Sequence, residues 1–200
     1  MCCRCSRSEA SPPPSSERRR RARRPQTGGF RGFAVLDDGG RAYAGPMAET
    51  FDVVATRDLP ATPDEAWKSW TDESYVKQWW GPNGFTCTVA DMDVRVGGRS
   101  LVCMSAPDWG FPALYSTWVY TLVDAPRRLE FVHNMADAEG NTLDMPDIPH
   151  DVHHVVTLEP VSDGVTRLTV HESTYPTEEQ RDRSKQGLEE CLDKLVAVYA

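Results

Sequence analysis

The sequence predicts an α+β domain: one antiparallel sheet with a long C-terminal helix that covers a single face of it. Three observations carry this. Six extended segments follow one another between residues 85 and 174, joined at hairpin spacing by turns such as Val96-Gly97-Gly98-Arg99, Ala125-Pro126-Arg127 and Ser162-Asp163-Gly164. Two short helical segments precede them and stop at Gly81-Pro82. The chain closes with a helix whose Leu188, Cys191, Leu192, Leu195, Val196 and Tyr199 form the stripe of a helix with one face on a core. A sheet with one face to bury needs a cover, and this last helix is the element long enough to supply it.

The elements can be justified in order. "TFDVVATRDL" alternates, with Phe51, Val53 and Ala55 on one side, and predicts an opening strand. "TPDE", Thr62 to Glu65, is a capping box with proline at the first helical position, and it opens a helix carrying Ala66, Trp67 and Trp70 on one side. A second short helix is predicted from Asp72 to Trp80, anchored by Val76, Trp79 and Trp80. Neighbours on a helix lie ~100° apart, so Trp79 and Trp80 should occupy different environments: either both pack in different parts of the core, or one packs in the core and the other lies toward a cavity mouth. The strands "FTCTVADMDV", "SLVCMSA", "YSTWVYTLVD", "RLEFVHNM", "HHVVTLEPV" and "VTRLTVHES" then read as a meander. In the third of these, Trp118, Tyr120 and Leu122 share one face by simple alternation. A second box, Thr177 to Gln180, opens the last helix. The long connection 137–151, polar and twice prolined, is a candidate lid.

Charge is divided unevenly along the 200 residues. Residues 1–46 hold 10 Lys/Arg and 4 Asp/Glu, whereas residues 47–200 hold 12 and 26, giving +6 and −14. An acidic body argues against nucleic acid or an anionic membrane as its main partner, since both are bound through Lys and Arg. Residues 1–46 are rich in Arg, Pro, Ser and Gly with little to bury; disorder is expected there, and Met47 is a candidate translation start. An Arg-rich arm at Arg18–Arg24 is the functional alternative for that segment. No apolar run of ~18 residues exists to span a membrane, and no apolar stretch follows the basic N-terminus as in a secretory signal. Cys87, Cys103 and Cys191 sit in apolar segments and read as buried thiols of a reducing cytoplasm. Cys2 and Cys5 have C-x-x-C spacing, but no second pair or histidine nearby completes a zinc site.

"YVKQWWGPNGFTC", "DVRVGGR", "DAPRRLEFVH", "TRLTVHES" and "EEQRDRSKQGLEECLDKL" together resemble the SRPBCC (START-like) superfamily. More narrowly, they resemble its branch named for the C-terminal domain of the activator of Hsp90 ATPase. The likeness runs over about residues 50–200 and implies the helix-grip fold, a curved sheet gripping a long helix with an elongated apolar cavity between them. Relatives often carry tryptophan after the glycine of the last helix, where this chain has Leu188 after Gly187.

By alternation and by this resemblance, the cavity wall is expected to include Trp79, Trp80, Trp118, Tyr120, His133, His154, Gly187 and Cys191. Gly187 costs ~1 kcal/mol in a helix, which a close approach by the sheet or a ligand would rationalise. His150, His153 and His154 lie near Asp151, but His153 and His154 point to opposite faces of a strand, so no metal is expected there, and no cofactor. The leading expectation is a cytoplasmic module, monomer or homodimer, that binds a small apolar or amphipathic ligand. The alternatives are a cyclase, dehydratase or hydrolase using His133, His154 or Tyr120 as acid or base, and a co-chaperone-like interaction with an Hsp90-type ATPase.

Overall fold

The computed structural model describes residues 50–200 and one separate two-residue pair, β1 (Val35–Leu36) with β2 (Ala42–Tyr43), and the chain divides between Pro46 and Met47. Apart from that pair, the disorder expected of residues 1–46 and the proposed start at Met47 lie outside the described residues. In the larger unit, β3 (Phe51–Leu59) leads into α1 (Pro63–Thr71) and α2 (Glu73–Trp79). Six strands follow: β4 (Thr86–Asp91), β5 (Arg99–Ala106), β6 (Phe111–Asp124), β7 (Arg128–Ala136), β8 (Val152–Ser162) and β9 (Val165–Tyr175). The chain ends in α3 (Glu178–Val198).

The sheet is wholly antiparallel in the order β3-β9-β8-β7-β6-β5-β4, so β3 and β4, adjacent in sequence, occupy opposite edges. α1 and α2 make that crossing. Thr62 caps α1 in the predicted box: its hydroxyl accepts from the Glu65 amide while the Glu65 carboxylate accepts from the Thr62 amide. Thr177 caps α3 by accepting from the Gln180 amide, but the Gln180 side chain does not complete the reciprocal bond. It donates instead to the Asp147 carbonyl in the long connection.

Bulges shift the register of several ladders, including Cys87/Val89 in β4 and Tyr120/Leu122 in β6, and bulges bend a sheet. The second of these corrects the predicted face of β6. Trp118 and Tyr120 share one face as expected, and it is the core face rather than the cavity wall, but the extra residue shifts the phase, and Val123 rather than Leu122 packs against that core. The α2 boundary is also corrected. Trp79 is its last residue, and Trp80 is already extended, with φ −63° and ψ 126°. The two tryptophans therefore diverge because the backbone leaves the helix between them.

The core lies between the concave face of the sheet and the three helices. α3 buries Leu188, Cys191, Leu192 and Leu195 against it, chiefly over β3 and α2. Under α1 and α2 the filling is aromatic. Trp70 lies 4.7 Å from Trp79 between ring centroids, and Trp118 stacks on Phe131 at 4.8 Å. The Trp79 indole N–H donates to the Ser69 carbonyl at 2.8 Å.

Candidate functional site

Where α3 rises off the strands, a cavity of about 190 Å³ remains between helix and sheet. Its walls are largely apolar: Trp80 and Pro82 from the turn after α2, Met104, Leu114 and Met135 from the strands, Leu188 and Cys191 from α3. Two features hold the turn that supplies Trp80 and Pro82 against α3. The Lys194 ammonium donates to the carbonyls of Gly81 (2.7 Å) and Phe85 (3.0 Å), and the Glu190 carboxylate accepts from the Asn83 amide.

The polar end of this cavity is a buried His–Glu pair. His154 on β8 and Glu172 on β9 are cross-strand neighbours, and their inward side chains meet at 3.0 Å, Nε2 to Oε1. Nδ1 of His154 faces the Val152 carbonyl at 3.2 Å. Both ring nitrogens thus have partners within the protein. The other Glu172 oxygen accepts from Tyr175 (2.7 Å) and from Ser184 of α3 (2.8 Å). Burial pushes the Glu172 carboxyl up, but the His154 charge and these donors outweigh it and hold the group down at about 2. The His154 ring also stacks on Phe131 at 4.8 Å, continuing the Trp118–Phe131 stack across three strands.

Ser116 on β6 and His133 on β7 complete the polar set. Burial, and next the charge of His154, pull the His133 imidazole down to about 3, so it is neutral at ordinary pH. Burial pushes the Cys191 thiol up to about 12, leaving it an uncharged wall group.

Of the residues expected on the wall, Trp80, His133, His154, Gly187 and Cys191 line this cavity. Trp79, Trp118 and Tyr120 do not; all three are fully buried in the core behind it. The Tyr120 hydroxyl is bonded to Ser100 at 2.7 Å, away from the cavity, and burial raises its pKa, so it is no acid or base for a cavity ligand. Sequence reasoning missed the polar site residues Ser116, Glu172, Tyr175 and Ser184, and the apolar wall residues Pro82, Met104, Leu114 and Met135. A signal existed for Glu172: Thr166, Leu168, Val170 and Glu172 follow the two-residue alternation of one strand face, and all four are buried.

Nothing lies within 4 Å of where a Gly187 side chain would begin, so the expected close approach of the sheet is absent. The missing side chain instead leaves open space on the cavity wall. Gly187→Ala is therefore expected to stabilise the free protein by ~0.5–1 kcal/mol through helix propensity, read as a raised denaturant midpoint. Gly187→Leu should fill the cavity and remove any ligand-dependent stabilisation.

The remaining histidines disperse. His150 pairs with Asp144 at 3.1 Å and His153 lies 3.7 Å from Glu130, while His154 points into the core. Among the described residues no group of three or more His, Cys, Asp or Glu is arranged to hold a metal. The 137–151 connection contributes Asp147, Ile148 and Pro149 to the wall of a second chamber. It is fastened by paired Asn134–Asp151 hydrogen bonds (2.9 and 2.8 Å) and by the Gln180–Asp147 bond. Among the described residues no helix is long and apolar enough to cross a membrane.

Comparison with known proteins places this geometry. The family model described as Activator of Hsp90 ATPase homolog 1-like protein matches residues 60–200. A crystal structure of a Mycobacterium smegmatis protein aligns with a TM-score of 0.62 and 27% identity, covering 74% of this chain and 90% of that one. A solution structure of an Arthrobacter aurescens protein aligns with a TM-score of 0.62 and 30% identity, covering 76% and 86%. A Silicibacter pomeroyi protein named for the same family aligns at 0.61 with 21% identity over 74% and 96%, a likeness of fold alone. No curated protein matches the chain.

Proposed function

The chain belongs to the family of activator of Hsp90 ATPase homolog 1-like proteins, and from that premise we propose that it binds a small amphipathic molecule in the cavity between sheet and α3. One observation carries the reading: an apolar cavity ends in a buried, fully hydrogen-bonded His154–Glu172 pair beside a neutral His133. Apolar walls supply affinity by burial, and a few fixed polar groups supply orientation. The expected cytoplasmic location goes with the acidic body and the three buried thiols Cys87, Cys103 and Cys191.

The enzymatic alternative narrows under the same geometry. Of its three candidate groups, Tyr120 is bonded outside the cavity and both His154 nitrogens have partners. His133 remains, and a neutral imidazole with so low a pKa is a weak base near pH 7. It suits a hydrogen bond to a ligand better than a proton transfer.

Thermal unfolding of the full chain against a panel of uncharged apolar compounds tests the binding reading. A ligand present at about a hundred times its dissociation constant is expected to add ~2.7 kcal/mol, a shift of several degrees. Absence of any shift across the panel, at concentrations well above micromolar, would turn attention to protein partners, including the Hsp90-type ATPase that the family's name suggests.

A further inference from the structure

A second chamber of about 260 Å³ adjoins the first, under the 144–151 segment. Met104, His133, Tyr175 and Ser184 wall both chambers, so the two are separated by no more than these side chains. The partition is therefore the polar waist of a cavity that is largely apolar on either side. Beyond it lie Trp80, Leu114 and Leu188 in the inner chamber, and Ile148, Pro149 and Val152 in the outer one.

The hydrogen-bonding capacity at this waist is unequally committed. The Tyr175 and Ser184 hydroxyls are both bound to Glu172. His133 makes no side-chain hydrogen bond to any other described residue, and its neutral ring has one donor and one acceptor to offer.

The charged groups of the two chambers lie off the waist. The only ionisable pair of opposite sign in the inner chamber, His154 with Glu172, is closed on itself at 3.0 Å. In the outer chamber Arg183 reaches Glu179 at 3.2 Å on the exposed side of α3, and Asp147 is the other charged residue. An ionic group at the waist would be desolvated without a free counter-ion, which costs more than a hydrogen bond returns.

We propose that the ligand is an uncharged molecule with two apolar lobes flanking a central hydrogen-bonding group, seated with that group against His133 and one lobe in each chamber. The inference rests on the cavity-binding reading and adds to it the class of ligand. A carbonyl accepts from the ring and a hydroxyl both donates and accepts, so either serves as the central group.

Isomeric ketones test this directly, because undecan-6-one and undecan-2-one differ only in where the carbonyl sits. Dissociation constants of both, and of undecanoate, are to be measured by calorimetry on the full chain at pH 7. Undecan-6-one is expected to bind about five- to tenfold tighter than undecan-2-one, and undecanoate weakest. His133→Phe should remove the preference between the ketones, and His133→Gln, which again offers a donor and an acceptor, should restore part of it. Equal affinity of the two ketones, or tighter binding of undecanoate, overturns the inference while leaving cavity binding intact. No heat from any of the three, with none of the wider thermal panel shifting unfolding either, overturns both. The comparison of ketones on the unmodified chain stands even if a variant fails to fold.

Discussion

Glu172→Leu is expected to destabilise the domain by on the order of 3–5 kcal/mol at neutral pH. The substitution removes the acceptor of three buried donors at once, leaving His154, Tyr175 and Ser184 without it. Glu172→Gln should cost less, because an amide oxygen still accepts from these donors. Removing both members of the pair, as His154→Phe with Glu172→Leu, should recover much of the loss, since apolar replacement of a whole buried pair is often near neutral. The pH dependence has a defined sign. The folded-state pKa of Glu172 lies below its ordinary value of 4.5, at about 2. Its stabilising contribution is thus complete above about 4.5 and is lost as pH falls toward 2. The gap between parent and Glu172→Leu should accordingly be widest at neutral pH and close across that window, as followed by urea unfolding at several pH values. A gap that stayed constant from pH 7 to pH 3 would mean the carboxylate is not held by the pair.

The adjacent tryptophans are expected to respond differently. Trp79→Ala should cost ~3–5 kcal/mol and lower Tm by on the order of 10 °C, because the ring is fully enclosed, lies 4.7 Å from Trp70 and donates to Ser69. Trp80→Ala should cost ~1–2 kcal/mol, because that ring is only partly buried and one side of it meets empty cavity. Its larger effect should fall on binding, where the ligand-dependent thermal shift is diminished or lost. The reverse pattern, with Trp80 dominating stability and Trp79 dominating binding, would exchange the roles given to the two rings.

Much of the fold was legible because local signals agreed. The Thr62–Glu65 box, the Gly81-Pro82 stop and the turns at Ala125-Pro126-Arg127 and Ser162-Asp163-Gly164 each mark an element end that the structure places within a residue or two, whereas β4 stops at Asp91, short of the expected Val94, and β6 begins at Phe111, ahead of the expected Tyr115. What sequence missed follows from features with no local signature. Alternation carries Leu122 to the face of Trp118 only if the ladder is unbroken, and the bulge after Tyr120 breaks it. Alternation also cannot separate a residue that faces the core from one that faces a void in it. Trp118 and His133 are directly paired across β6 and β7, yet Trp118 is packed over and His133 opens onto the cavity, because α1 and α2 cover one part of the sheet and α3 stands off another. Glu172 was passed over for a related reason. A lone carboxylate in "TVHES" reads as a solvated residue until its partners are known, and His154, Tyr175 and Ser184 come from two strands and a helix.

The most direct test of the binding reading is to find where a ligand sits. Isotope-filtered NMR on the full chain, with the compound that most stabilises it in the thermal panel, would identify the side chains in contact. The account predicts intermolecular contacts to Trp80, Met135, Leu188 and Cys191. Contacts confined to the exposed Trp109 and Phe111 outside the cavity, with none to those four, would contradict it.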